Sequence, residues 1–416
     1  MITLDRWVWV RYRRRLYDEM SLASKRKTKE LGLVASNHVK PHDRVVQVKP
    51  VTGVLVVTVL LVTGCPDAMV SVPARQANTT TEQQTPVSKD TSPDINELKQ
   101  RIDTVLDENL QQRRLSVSIH GGWQILHGIL AYGHDFNVEA GGDSITAIDY
   151  LLAGAPIRGV TLQPGDMIAG RRGIRVPLEP ATKMGQGHRD QWLAILAQTN
   201  LPITTELVLS DGSTGTIGDW LRQTEHDIPL NAEREFSWTL IGLLAYRPTD
   251  HRWTARDGLD YSIESLLKSE LRADLSESVC GGTHRLNAIS AAVSQRQREG
   301  KPLTGVWSDA VAKLGTAASL ARQNQNPDGS FSTNYFHRTG WARDLGEQLG
   351  TTGHVLEFLA LKPPTQPDSQ PYQQLWIRRC AERLCDLLIQ CREIDLECGV
   401  LYHALHGLRQ YRNRLN

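Results

Sequence analysis

Histidine recurs in this chain where a helix would otherwise be apolar. His120 and His127 lie in SIHGGWQILHGILAYG (118–133), His188 in GHRDQWLAILAQ (187–198) and His284 in CGGTHRLNAISAAV (280–293). His354 lies in TTGHVLEFLALK (351–362), and His403 with His406 in CGVLYHALHGLRQY (398–411). Imidazole titrates near neutrality, so it can pass a proton in either direction or bind a metal. The plain alternative for any one of them is a hydrogen-bonded structural residue in a helix's first turn. Recurrence on successive segments argues for a shared site. Glu357 follows His354 by three residues, on the same helix face, where the pair can share a proton. His284, His354 and Glu357 are thus the central catalytic candidates, with His188 and His127 beside them.

The same segments hold thiols. Cys280 precedes His284 by four residues, one helical turn, and Cys398 precedes His403. Two thiolates and two imidazoles, from Cys280, His284, His354 and Cys398, would suit zinc, with one position left for water. Zinc is the candidate cofactor. Cys380, Cys385, Cys391 and Cys398 lie close enough in sequence for a disulfide in an oxidising compartment, and buried free thiols are the third reading. Trp123, Trp192 and Trp238 fall near the histidines and, with His403, are candidate substrate-binding residues. Aromatic walls suit a sugar face or an isoprenoid chain, and equally a plain core. Serine-hydrolase elbows, phosphate loops and dinucleotide fingerprints are absent. Net charge is +1 with no basic stripe beyond residue 50, so nucleic acid is not an expected partner.

These residues must be positioned by helices. From Asp94 onward, amphipathic stretches alternate with stretches apolar nearly all round. The amphipathic ones are 95–113, 144–154, 216–226, 259–272, 308–325 and 372–391. The apolar ones, which belong inside, are 118–133, 187–198, 235–246, 280–293, 351–362 and 398–411. Six pairs, none able to cover its inner face alone, predict an all-α (α/α)6 toroid of six helical hairpins over 94–416. Parallel inner helices would gather their starts, and the histidines, around one mouth of a central cavity. Gly- and Pro-rich 155–186 predicts a small β-ribbon or loop insertion, and 204–216 a hairpin turning at Asp211-Gly212.

The N-terminal region reads as an address. VTGVLVVTVLLV (51–62) is too short to span a bilayer comfortably but has the length of a signal-peptide core behind Lys40, Arg44 and Lys49. It ends in Val62-Thr63-Gly64-Cys65, which resembles a bacterial lipobox and implies lipid attachment at Cys65. Residues 40–65 are then a lipoprotein signal peptide and 1–39 an over-extended start or disordered segment. Residues 66–93, rich in Thr, Ser, Pro and Gln, are a flexible tether. The expected location is the bacterial envelope, facing the periplasm and held to the membrane by that lipid.

Two further resemblances bear on the toroid. Gln323-Asn324-Gln325-Asn326-Pro327-Asp328-Gly329-Ser330-Phe331 resembles the QW repeat of terpenoid cyclase and prenyltransferase toroids, with Phe in place of Trp. In such a motif the Gly makes a tight turn, Gln and Asp satisfy helix-end backbone groups, and the aromatic packs on the neighbouring hairpin. The acidic motifs of those enzymes are missing, and no Asp-Asp pair occurs in the chain. Protein prenyltransferases hold zinc on inner helices through an Asp-x-Cys pair and a His; the Asp-x-Cys is absent at Cys280. Gly353-His354-Val355-Leu356-Glu357-Phe358 resembles the Gly-His-x-x-Glu-Trp segment of (α/α)6 sugar 2-epimerases, which implies an acid/base role for His354. The expected function is a cavity site for a carbohydrate or other small molecule, as a lyase, epimerase or hydrolase. A non-catalytic scaffold and a zinc-dependent, prenyltransferase-like enzyme are the alternatives.

Overall fold

A computed structural model describes residues 94–231, 235–364 and 371–415. The expected leader, the lipid site at Cys65 and the tether lie outside the described residues. Within them the chain is mostly α-helical, with twelve α-helices and four small sheets. The odd-numbered helices are α1 (Ile95–Gln112), α3 (Ala147–Leu152), α5 (Ile217–Asp227), α7 (Ile263–Arg272), α9 (Val306–Gln323) and α11 (Leu375–Gln390). The even-numbered ones are α2 (Gly122–Tyr132), α4 (Gln191–Ala197), α6 (Ser237–Leu244), α8 (Thr283–Arg298), α10 (Leu345–Leu361) and α12 (Cys398–Arg414).

The two sets differ as their sequences require. In α7 only Ile263, Leu266, Leu267 and Glu270 are buried, a stripe at i, i+3, i+4, i+7 that covers one neighbour and leaves the charges in water. Every residue of α4 is buried, as is the run Gln348–Ala360 of α10. Each fully buried Leu or Ile contributes about 1.5–3 kcal/mol, so the even helices hold most of the core's driving force. They pack in chain order, α2 on α4, α4 on α6, α6 on α8, α8 on α10 and α10 on α12, and α12 packs back on α2. The odd helices lie against them: α3 on α2, α5 on α4 and α6, α7 on α6 and α8, α9 on α8, α11 on α10 and α12, and α1 on α12.

The closest approach is between α10 and α12. A Cβ added at Gly353 would come within 2.6 Å of the Cα of Ala404, and one at Gly407 within 2.9 Å of the backbone of Glu357 and Gly353. Glycine is therefore required at both positions for the two helices to touch. That contact brings the histidines of α10 and α12 together.

Three odd helices are entered through β-hairpins: β2–β3 (Asn137–Ala140, Asp143–Thr146) before α3, β6–β7 (Glu206–Val208, Thr214–Thr216) before α5, and β8–β9 (Arg252–Thr254, Asp260–Ser262) before α7. β1 (Leu115–Ser116) adds to β2 in parallel. Each second strand ends at a hydroxyl residue beside the helix start. Thr216 Oγ1 accepts from the amide of Asp219, Ser262 Oγ accepts from that of Ser265, and Thr146 donates to Asp149. The hairpin expected at 204–216 is present, and β4–β5 (Gln163–Ile168, Arg171–Arg175) occupies the expected 155–186 insertion. The hairpins at 137–146 and 252–262 were not anticipated; 144–146 and 260–262, expected as helix, are strand.

The nine-residue motif behaves as its chemistry suggests. Gln325 Nε2 donates to the carbonyls of Gly329 and Trp376, at 2.9 and 2.8 Å. Asp328 accepts from the amide and hydroxyl of Ser330, and buried Phe331 meets Trp376 edge-on at 6.1 Å. Gly329 has φ +88° and faces the Arg379 carbonyl, where no Cβ fits. The motif thus ties α9 to the start of α11. All five described cysteines are free thiols, so the disulfide reading of the last hairpin finds no support among the described residues. No described helix is long and apolar enough to cross a membrane.

Candidate functional site

Five imidazoles from five segments meet in the interior. His354 and His403 stack with ring centroids 4.2 Å apart. His284 lies 5.7 Å from His354, and 5.3 Å from both His403 and His188. His127 closes the group at 5.3 Å from His403. All are buried except His188, whose side chain is 19% exposed.

Their partners define what each can do. His127 and His354 each share Nδ1 with the carbonyl four residues back, Trp123 at 2.6 Å and Gly350 at 2.7 Å. A carbonyl only accepts, so Nδ1 carries the proton and Nε2 presents a lone pair. His188 Nδ1 faces Glu235 at 3.2 Å. The Nε2 of His354 and both ring nitrogens of His284 are buried without a protein partner. Burial and the neighbouring imidazoles of His403 and His188 hold His284 well below the usual imidazole range. His127 is brought down to about 3, first by burial and then by His403. Burial pushes the Glu235 carboxyl up, but His188, Arg285 and Ser237 together hold it below the usual carboxylate range.

Glu357 does not pair with His354 as its spacing suggests. Its two oxygens face Nδ1 of His403 at 2.9 Å and Nδ1 of His406 at 2.5 Å, both on α12. Burial pushes its carboxyl up, yet these two imidazoles outweigh that and hold it well below its ordinary range. The i, i+3 neighbours share a helix, but the tight α10–α12 contact offers Glu357 the facing helix instead. His406, unassigned in the sequence reading, is the second half of this bridge. Its signal was present: residues 403 and 406 are i, i+3 on an apolar helix.

His127, His354 and His403 sit deeper than their expected place at the helix starts, whereas His284, the second residue of α8, keeps it. The helix α10 begins at Leu345, six residues before the expected boundary, so His354 falls mid-helix; His127 and His403 are likewise the sixth residues of α2 and α12. His188 precedes α4 altogether. His120 sits in the turn after β1, with Nδ1 on the backbone of Ser116, away from this group. Cys398 is also a correction. It lies five residues before His403, about 140° round the helix, and so faces elsewhere. Burial raises its thiol to about 11 and Gln124 is a hydrogen-bond partner. Of the four zinc candidates, the donor atoms of Cys280, His284 and His354 lie within 4.8 Å of one another, and Cys398 is not among them.

The C-terminal turns of all six even helices line one cavity of about 590 Å³. Its residues include Ala197, Leu244, Arg298, Leu361 and Arg414 near those ends, and Trp238, His284, Asn287 and Glu357 further in. Trp238 is the one candidate tryptophan on this wall. Trp192 is fully buried packing, and Trp123 lies against His127 at 4.2 Å. Asp190 is structural: left-handed at φ +60°, it starts α4 and accepts hydroxyl bonds from Thr224 and Thr239, linking α4, α5 and α6. On α7, buried Glu270 accepts from the amide of Phe236 and pairs with Arg285 at 2.8 Å, which fixes the starts of α6 and α8 around Trp238 and His284. No family model, curated protein or solved structure matches this chain, so its function is read from this geometry.

Proposed function

We propose that residues 94–416 form an (α/α)6 toroid whose central cavity binds a small hydroxylated molecule of the carbohydrate class, on which the imidazole–carboxylate cluster performs acid–base chemistry. The observation that carries this is a set of orphaned polar atoms on the cavity wall. Trp238 Nε1, Asn287 Oδ1 and both nitrogens of His284 are buried without a protein partner. Each such atom costs about 1–3 kcal/mol unless a ligand or solvent satisfies it. Donors and acceptors together, beside an indole, suit hydroxyl groups on a ring with an apolar face. The cyclic contact order of the even helices supports the toroid.

In this reading His188, with Glu235 behind it, exchanges protons with the bound molecule by way of His284, which lines the cavity. Glu357 holds His403 and His406 in position. The reaction class is a lyase, epimerase or hydrolase step driven by proton transfer. We further propose that the chain is held in the bacterial envelope by lipid on Cys65.

The binding test is titration of the full chain with neutral mono- and disaccharides, read by tryptophan fluorescence. A saturable change that Asn287→Ala weakens at least tenfold, about 1.4 kcal/mol, is expected. Binding indifferent to Asn287→Ala, or no response to any sugar, would remove the carbohydrate reading and leave a scaffold. For the anchor, Cys65→Ala should release the protein from membranes; unchanged sedimentation with membranes refutes it.

A further inference from the structure

We infer that Cys280, His284 and His354 form a binding site for zinc or a similar divalent transition-metal ion. This deepens the cavity reading above and shares the His284 nitrogens with it; the Cys280 thiol and His354 Nε2 belong to the metal site alone.

Three observations converge. The first is the donor set. A thiol sulfur and two imidazole nitrogens lie within 4.8 Å of one another. A tetrahedral zinc ion, with Zn–S about 2.3 Å and Zn–N about 2.0–2.1 Å, spaces such donors about 3.3–3.6 Å apart. Side-chain rotation of roughly an ångström closes the difference.

The second is the state of the imidazoles. His354 gives its Nδ1–H to the Gly350 carbonyl at 2.7 Å, so Nε2 is left with its lone pair outward, buried and without a protein partner. That is how a metal-binding histidine is prepared, its other nitrogen anchored to a carbonyl. His284 is 5% exposed and neither of its nitrogens has a protein partner. A buried histidine with no hydrogen bond is expensive in a core, and a metal removes the expense.

The third is the backbone that carries the cysteine. Cys280, Gly281 and Gly282 are all left-handed, at φ +51°, +60° and +78°. A non-glycine residue held there costs of order 1 kcal/mol or more, and such strain persists where the surroundings impose it. Here Tyr335 lies against Gly281 so closely that a Cβ would meet its ring at 2.1 Å. The strained turn brings the thiol back over the first turn of α8, beside His284. The remaining described cysteines do not share this setting: Cys380 and Cys385 are packed in the core, and Cys391 and Cys398 belong to no such donor group.

Three protein ligands leave a fourth position for substrate or water, where the ion acts as a Lewis acid. His188 and Glu235 form a second group with His284.

The test is elemental analysis of the full chain, purified without chelating resin, followed by exchange with Co²⁺. Close to one metal ion per chain is expected, with thiolate-to-cobalt charge-transfer absorption in the near ultraviolet. Cys280→Ser should abolish that absorption and weaken metal binding at least tenfold, whereas Cys398→Ser should leave both unchanged. His354→Gln, which keeps the thiolate, should weaken metal binding at least tenfold and shift the cobalt spectrum, and serves should Cys280→Ser fail to fold. A folded chain that takes up no metal, or a cobalt spectrum unaltered in Cys280→Ser and His354→Gln, overturns the site. Sugar titrations on the same preparation separate the two ideas. Sugar binding without metal removes only the metal site, and metal without sugar binding removes only the carbohydrate reading.

Discussion

Replacing Gly353 by alanine should destabilise the protein, although alanine is the better helix former. In an open helix interior the exchange gains about 0.8–1 kcal/mol. At residue 353 the new methyl would lie 2.6 Å from the Cα of Ala404, 2.7 Å from its Cβ and 3.0 Å from its amide nitrogen. Carbon pairs rest at about 3.5–4.0 Å, so α10 and α12 must part by about 1 Å. Two of the obstructing atoms are backbone and cannot rotate aside. Overpacking of this kind costs about 1–3 kcal/mol, and the immobility of the backbone favours the upper half of that range, so the net loss is about 1–2 kcal/mol. Gly315, inside α9, is the control: a methyl there meets nothing within 4 Å. Gly315→Ala should therefore stabilise by up to about 1 kcal/mol. Urea denaturation of both variants, fitted with a common slope, gives the comparison. A stability of Gly353→Ala equal to or above that of Gly315→Ala would refute the close α10–α12 contact. The packing account of the histidine cluster would fall with it.

Acid should weaken the fold well above the carboxylate range. His127 is held near pKa 3 by burial and by His403, with His354 and His188 adding to the effect, whereas an unfolded histidine titrates near 6.5. Below pH 6.5 the unfolded chain takes up a proton that the folded chain refuses, so stability falls by about 1.4 kcal/mol per pH unit from this residue. His127→Asn should flatten the stability curve between pH 6.5 and 5 by about 2 kcal/mol in total; an unchanged slope in urea titrations would contradict this. Phe331→Ala, which empties a buried site against Trp376, should cost about 3–5 kcal/mol; a loss below 1 kcal/mol in the same assay would show that the motif does not tie α9 to α11.

The helices were legible because burial and periodicity are coupled: residues 259–272 and 351–362 have different hydrophobic patterns because one faces water and the other does not. The short strands were less so. In SITAIDYLL and LDYSIESLL the strand runs into the helix through a hydroxyl residue with no break in the apolar spacing, so the pattern reads as one helix. The histidines, Trp238 and Glu357 were found by asking which polar groups interrupt apolar segments. Their pairing was not, because Glu357 had a plausible partner three residues away and a better one on a helix 46 residues further on. Spacing reports on one helix at a time. Cys280 and Cys398 had the same character: both precede a histidine, but Cys280 reaches His284 through a left-handed turn ahead of α8, which spacing does not report, while Cys398 lies on α12 about 140° round from His403.

The contact of α12 with α2 also sets a timetable for folding. Arg409 donates to the carbonyl of Ala131 across 278 residues of chain, and His127 meets His403 over a comparable interval. At about 5–20 residues per second of synthesis, α2 waits on the order of 15–60 s for the helix that covers it. During that interval part of its apolar surface has no native partner, and non-local closure of this kind is slow even when the whole chain is present. A chain stopped short of Cys398 would hold most of its helices yet lack both the seam and the last two histidines, His403 and His406. The imidazole cluster is then completed only when α12 has been made, and shorter chains keep an exposed apolar edge.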